Sequence, residues 1–213
     1  MKTAQRILAT SLELFNQEGE SSVTSVDIAN ELDISPGNLY YHFKGKEVIV
    51  DALFALHVEQ FEKLISAGDV TALSLEEQFY YLYLLLEKIH LYRFLYRSPM
   101  DLMEKYPHVQ KGMQRLVKKL EAKLEAMFEH AAQNKYIQVE RSELKPLVEI
   151  GSLVMIQSSQ YFQIKQSFDD DTQIYDTLNL LLTMLMPRMH VPVENLSHLQ
   201  QSIAMHAFTR GDE

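Results

Sequence analysis

The stretch Thr24-Ser25-Val26-Asp27-Ile28-Ala29-Asn30-Glu31-Leu32-Asp33-Ile34-Ser35-Pro36-Gly37-Asn38-Leu39-Tyr40-Tyr41-His42-Phe43 decides the fold. It packs two helix starts into one short run. Thr24 or Ser25 supplies a hydroxyl cap for a helix reaching about Glu31 or Leu32, and Asp33-Ile34 makes the turn. Ser35 caps a second helix, with Pro36 at the first position, where a missing N–H costs nothing. Ile28, Leu32, Ile34, Leu39 and Phe43 are spaced to bury together, and Ala29 is small where the two helices must approach. This is the pattern of a helix-turn-helix, two short helices at a steep angle with the second presented to solvent. The turn needs a left-handed residue, and Asp33 tolerates that backbone at modest cost.

The helical period places Pro36, Leu39, Tyr40 and Phe43 on the inner side of the second helix. Gly37, Asn38 and Tyr41 point outward, with His42 at the edge. Such a face suits a DNA major groove. Asn pairs two hydrogen bonds with adenine, Tyr reaches a phosphate or a thymine methyl, and Gly allows close approach. Lys44 and Lys46 follow and can neutralise phosphates, as can the N–H groups at the Thr24–Ser25 helix start. A structural helical hairpin inside a larger bundle would carry the same caps and the same buried positions.

Outward from this stretch, apolar residues recur at helical spacing almost throughout. Ala4, Ile7, Leu8, Ser11, Leu12 and Phe15 form one stripe that Gly19 ends. A long helix runs from Lys46 to Gly68. Ser74 opens a capping box for a helix continuing to about Tyr96, apolar nearly all round and so expected inside a bundle. Ser98-Pro99 starts a short helix stopping near Pro107. Further helices cover Val109 to Asn134, about Ser142 to Phe168 with Pro146 in the first turn, and the segment after the acidic Asp169-Asp170-Asp171 to Met186. A last amphipathic segment spans Val193 to Phe208. The expected fold class is all-α, with a helix-turn-helix domain over residues 1–46 and a larger helical domain over 47–213.

Composition narrows the function. The 213 residues contain no Cys, which excludes a disulfide scaffold, thiol chemistry and thiolate-bound zinc. Seven Gly and six Pro argue against a Rossmann glycine loop and a turn-rich β protein. The eight His are scattered, with no pair at metal-ligand spacing, and no nucleophile–base set suggests catalysis. No metal site, cofactor or catalytic residue is therefore expected. Net charge is −9, but residues 1–46 hold four basic and six acidic groups, so charge neither supports nor opposes DNA. The N-terminus lacks the apolar run of a secretory signal, and the longest apolar runs are too short to span a bilayer. The expectation is a cytoplasmic protein with no membrane partner.

The run Ser35-Pro36-Gly37-Asn38-Leu39-Tyr40-Tyr41-His42-Phe43-Lys44-Gly45-Lys46-Glu47, preceded by Thr24-Ser25-Val26-Asp27-Ile28-Ala29 and the Phe15–Gly19 helix end, resembles the DNA-binding domain of the TetR family of bacterial transcriptional regulators. The resemblance covers about the first fifty residues. It implies a homodimer that sets one recognition helix in each of two successive major grooves of a palindromic operator, most often as a repressor. It also implies a helical C-terminal domain for dimerisation and effector binding. Carried over by position, Ser25, Val26, Ser35, Gly37, Asn38, Tyr40, Tyr41 and His42 fall on the family's DNA contacts, and Lys46 on its phosphate-binding lysine. Val26 departs from the polar or basic residue frequent there.

The remainder carries weaker signals. Tyr80, Tyr81, Tyr83, Tyr92, Phe94, Tyr96, Met100 and Met103 gather soft, adaptable groups that suit a largely apolar pocket, faced by Met155, Tyr161 and Phe162. Ordinary core packing explains the same composition. His90, Arg93 and Arg97 recur at helical spacing and can hold an anion, or form a solvated face. The candidate effector set is Tyr83, His90, Arg93, Tyr96, Met103 and Tyr161. Lys111, Arg115, Lys118, Lys119 and Lys123 form a basic strip interleaved with Glu121 and Glu125, the pattern of a charge-laced exposed helix. Leu147, Ile150, Leu153, Val154, Ile156 and Tyr161, with Leu178, Leu181, Leu182, Leu185 and Met186, give two apolar helices able to pair across a two-fold axis, or to serve as internal core. An all-α small-molecule-binding protein without specific DNA binding is the competing function, and a helical adaptor a third.

Overall fold

The computed structural model describes residues 2–165 and 170–190, with the side chains of 170 and 171 left aside. Among these described residues ten α-helices follow in order: α1 (Thr3–Glu18), α2 (Ser25–Glu31), α3 (Pro36–His42), α4 (Lys46–Ser66), α5 (Leu75–Leu91), α6 (Phe94–Arg97), α7 (Pro99–Lys105), α8 (Pro107–Gln133), α9 (Arg141–Ile164) and α10 (Asp170–Leu185). The all-α expectation holds. Pairing between extended segments among the described residues is confined to one antiparallel bridge, Ile137 with Met189. Among the described residues no helix is long and apolar enough to cross a membrane.

Side-chain caps set the short helices. Asp27 N donates to Thr24 Oγ1 at 3.2 Å while Thr24 N donates to the Asp27 carboxylate at 2.8 Å. Asn38 N donates to Ser35 Oγ, with Pro36 at the start of α3. Asp33 takes φ +53°, the left-handed backbone that the turn requires. Ile28, Ala29, Leu32 and Leu39 close over Ile7 and Phe15 of α1, with Ile34 and Phe43 packed beside them. Gly45, at φ +139°, turns the chain between α3 and α4 through a conformation open to glycine.

The larger part is a bundle in which α4, α5, α8, α9 and α10 share one core. Its most amphipathic member is α8, where Val109, Met113, Leu116, Leu120, Leu124, Met127 and Phe128 recur every three or four residues and are buried. On α4, Phe54 lies against Gly112 of α8 so closely that a Cβ there would overlap its ring.

Three boundaries differ from the sequence expectation. The helix opening at Ser74 stops at Leu91, and the chain breaks at Tyr92-Arg93 before α6. No Gly or Pro marks this break. Asn16 of α1 serves it instead, donating to Leu91 O at 2.9 Å and accepting from Phe94 N at 3.0 Å. Pro107 starts α8 rather than ending α7, because a first-turn proline lacks a hydrogen that would have no partner anyway. Pro146 sits inside α9, one turn later than expected. The segment Val193 to Phe208 and Asp169 lie outside the described residues.

Substituting Gly112 by Ala forces Phe54 out of its seat. The expected loss is about 1–3 kcal/mol in urea unfolding, the usual penalty for overpacking, and an unchanged midpoint would show that the helices part without cost.

Candidate functional site

The structure presents α3 on the surface. Gly37, Asn38, Tyr41 and His42 are all exposed, and Tyr41 is 82% so, its ring edge-on to His42. Tyr40 departs from the expected inward position and is 60% exposed. Pro36 is exposed as well, leaving Leu39 as the buried residue of α3 and Phe43 half-buried just beyond it. Seven residues make two turns, and the inner arc of so short a helix is one side chain wide. At the start of α2, Ser25 is half-buried and Val26 is 51% exposed. Ser35 is exposed while its hydroxyl caps α3.

The Lys46 ammonium is engaged within the protein. Its Nζ donates to Glu20 O and Val23 O at 2.7 Å each and lies 3.1 Å from the Glu20 carboxylate. Its three donors thus face acceptors inside the protein, and Lys44 next to it is the exposed cation. Glu20 also accepts from Lys105 Nζ at 2.8 Å and Tyr106 Oη at 2.7 Å. Burial pushes the Glu20 carboxyl up, but hydrogen bonds from Lys105, Tyr106 and Lys46 outweigh it and hold the group below its ordinary range. The pull is mutual, and the Tyr106 hydroxyl is raised by burial and by Glu20. This junction, which sequence spacing gave no sign of, binds the α1–α2 loop, the start of α4 and the α7–α8 turn.

A cavity of about 640 Å³ opens between α7, α8 and α9. Tyr96, Met100, Met103, Met113, Val117 and Ile156 give it an apolar wall, and Gln114, Lys118, Glu121 and Gln157 add polar groups. Its size is that of small-molecule sites. Of the expected effector set, Tyr96 and Met103 line it. Tyr83 instead stacks on Tyr80 and meets Tyr175, while Tyr161 is exposed on α9. His90 faces a separate small cleft beside Ser158 and Thr177. The Arg93 guanidinium bonds back to His90 O at 3.4 Å, and Arg97 donates to Gln17 O of α1 at 2.9 Å. The helix break at Tyr92 falls between His90 and the two arginines, and it turns Arg97 toward α1.

Behind the cavity, the Tyr96 hydroxyl and His57 Nε2 of α4 share a 2.8 Å hydrogen bond. His57 is fully buried among Phe61, Tyr92 and Tyr96, and Nδ1 has no partner among the described residues. Burial alone pushes its pKa down to about 3 from the usual 6.5. The cavity wall therefore touches α4 through a neutral imidazole.

The fold and the exposed second helix of the hairpin are those of a helix-turn-helix transcriptional regulator. Comparison with known proteins makes the assignment specific. Residues 7–53 match the family described as bacterial regulatory proteins, tetR family, and residues 56–195 match the TetR family described as bacterial transcriptional repressor. The chain belongs to the TetR family of bacterial transcriptional regulators. It is similar over 95% of its length to a TetR-family transcriptional regulator from Marinobacter aquaeolei VT8, with 26% identity, a TM-score of 0.83 and 99% of that chain covered. It is 30% identical over 80 residues, 37% of this chain, to the Probable HTH-type transcriptional regulator YttP of Bacillus subtilis (strain 168). Over 46 residues, 22% of this chain, it is 44% identical to the Uncharacterized HTH-type transcriptional regulator YerO of the same organism. These matches span 39% and 16% of the two relatives' lengths.

His57 makes stability pH-dependent in a defined window. Between pH 6.5 and about 3 the unfolded chain binds a proton that the folded chain refuses. Stability from this group is thus complete above 6.5 and falls on acidification, by at most about 1.4 kcal/mol per pH unit. His57→Gln keeps a partner for Tyr96 and should flatten the profile over pH 4–6.5 in urea titrations; an equally steep profile would place the proton uptake elsewhere.

Proposed function

We propose that this regulator is a repressor that binds a palindromic operator as a homodimer and is released by a small, largely apolar effector. The observation that carries the DNA reading is the exposure of Asn38, Tyr40, Tyr41 and His42 on a helix pinned from below by Leu39. These four side chains read base edges and backbone, with Ser25, Val26, Ser35 and Gly37 along the same approach. Lys44 meets phosphate. Lys46 contributes by fixing α3 and α4 to Glu20, so its loss weakens all DNA sequences alike. The assignments of residues 1–46 to DNA and of 47–213 to effector binding and dimerisation belong to the same proposal.

Dimerisation is supported by a stripe along α9. Ile150, Leu153, Tyr161 and Ile164 are exposed at spacings that keep them on one side of the helix, and Leu180 and Met186 are exposed on and just after α10. Their neighbours Leu147, Leu178, Leu181, Leu182 and Leu185 are buried within the subunit. Of the two uses that the sequence left open, the first set suits a partner helix pair and the second forms internal core. The effector occupies the cavity beside Tyr96 and Met103, and it releases DNA because it prefers the subunit arrangement that misaligns the recognition helices.

Selection from a random duplex pool should enrich a palindrome. Asn38→Ala or Tyr41→Ala should cost about 1–3 kcal/mol on that duplex and relax its sequence preference. A folded dimer that enriches nothing would favour the small-molecule-binding alternative. Leu153→Glu should yield a folded monomer in analytical ultracentrifugation; a dimer unchanged at micromolar concentration would move the interface off α9.

A further inference from the structure

We propose that the effector is an anionic amphiphile, with an apolar chain in the cavity beside Tyr96 and a carboxylate or phosphate head held by Lys111, Arg115 and Lys118 on α8. This rests on the assignment of that cavity to the effector. Lys111, Gln114, Arg115 and Lys118 line a second cleft of about 360 Å³, and Gln114 and Lys118 line the apolar cavity as well. The two spaces therefore meet along one face of α8, apolar at one end and cationic at the other. The three cations recur at four and three residues, which stacks them on one side of the helix over about 10 Å.

All three are exposed, and they differ from the other cations of α7 and α8 in having no partner among the described residues. The other Lys and Arg side chains of α7 and α8 are engaged: Lys105 on Glu20, Lys119 on Glu62 and Lys123 over the Tyr81 ring. Among the described residues, Lys111, Arg115 and Lys118 have no carboxylate within 4.0 Å. Yet the chain holds 29 acidic against 20 basic residues. Glu121 is the acidic residue in the cavity lining, half-buried three positions after Lys118, and it leaves the cleft with a net positive charge. A guanidinium flanked by two ammonium groups matches a two- or three-oxygen anion, and the methionine wall adapts to a flexible chain.

The chain lacks Trp, so Met100→Trp places a single fluorescent reporter at the exposed rim of the cavity. Titration of this variant with dodecanoate, dodecyl phosphate and neutral dodecanol, below their micelle concentrations, tests the head and the chain separately. Both anions should bind about tenfold tighter than dodecanol or better. The one that binds more tightly identifies carboxylate or phosphate as the natural head. In the Lys111→Gln, Arg115→Gln, Lys118→Gln triple variant the anions should fall to the affinity of dodecanol, with dodecanol unchanged, and these exposed positions leave the fold intact. Dodecanol binding as tightly as the anions would overturn the proposal while keeping the cavity as effector site. So would anion affinity that survives the triple variant. No response to any alkyl probe would overturn both, and operator selection would still report separately on DNA binding.

Discussion

A buried carboxylate holds the two functional halves of this protein together. Glu20 sits in the loop after α1 and receives Lys46 from the start of α4 and Lys105 and Tyr106 from the α7–α8 turn. A charge at this depth is tolerable only with donors on every side, and a missing carboxyl would leave the Lys46 ammonium with two backbone carbonyls and no counter-charge. Because Lys46 also bonds to the Glu20 and Val23 carbonyls, the same cluster fixes where the recognition helix ends. Asn16 on Leu91 and Phe94, and Arg97 on Gln17, add two further ties from α1 to the α5–α7 corner. The hairpin thus rides on α6 and α7 as well as on α4.

That attachment gives an effector in the proposed cavity two points of leverage. Met100 and Met103 of α7 line the cavity, and α7 ends at Lys105 on Glu20. Tyr96 lines it too and is bonded to His57 in the middle of α4. A ligand that shifts either wall acts on elements bonded directly to the DNA-binding end. The required differential is modest, since a few kcal/mol of preference between two arrangements moves most of the population.

The hairpin was legible because its determinants are local: two hydroxyl caps, a proline at a first turn and an aspartate in the left-handed position all declare themselves within a few residues. Tyr40 was misplaced because periodicity gives an angle but not the width of the covered arc, which a two-turn helix leaves narrow. The break at Tyr92 was invisible for a different reason. Its exposed backbone groups are satisfied by the Asn16 side chain, distant in sequence, and no residue at the break carries the signal. The expected effector set divides at the same place, with Tyr96 and Met103 on the cavity and His90 on a separate cleft. Once the helix breaks, residues spaced as His90, Arg93 and Arg97 no longer share a face. Lys46 was assigned by position in a motif, whereas its partner Glu20 is a contact across the fold.

The close seat of Phe54 on Gly112 has a mechanical meaning. With an aromatic ring resting on bare backbone, α4 approaches α8 at one point more closely than a side chain there would allow. Any tilt of α4 about this point would make it a lever with a fulcrum less than half-way along, His57 on one arm and Lys46 on the other. Eight residues separate the fulcrum from Lys46, about 12 Å of helix, so a tilt of about 5° carries the hairpin by roughly 1 Å. In a two-fold dimer the partner lever moves oppositely, and the distance between recognition helices changes by twice that amount.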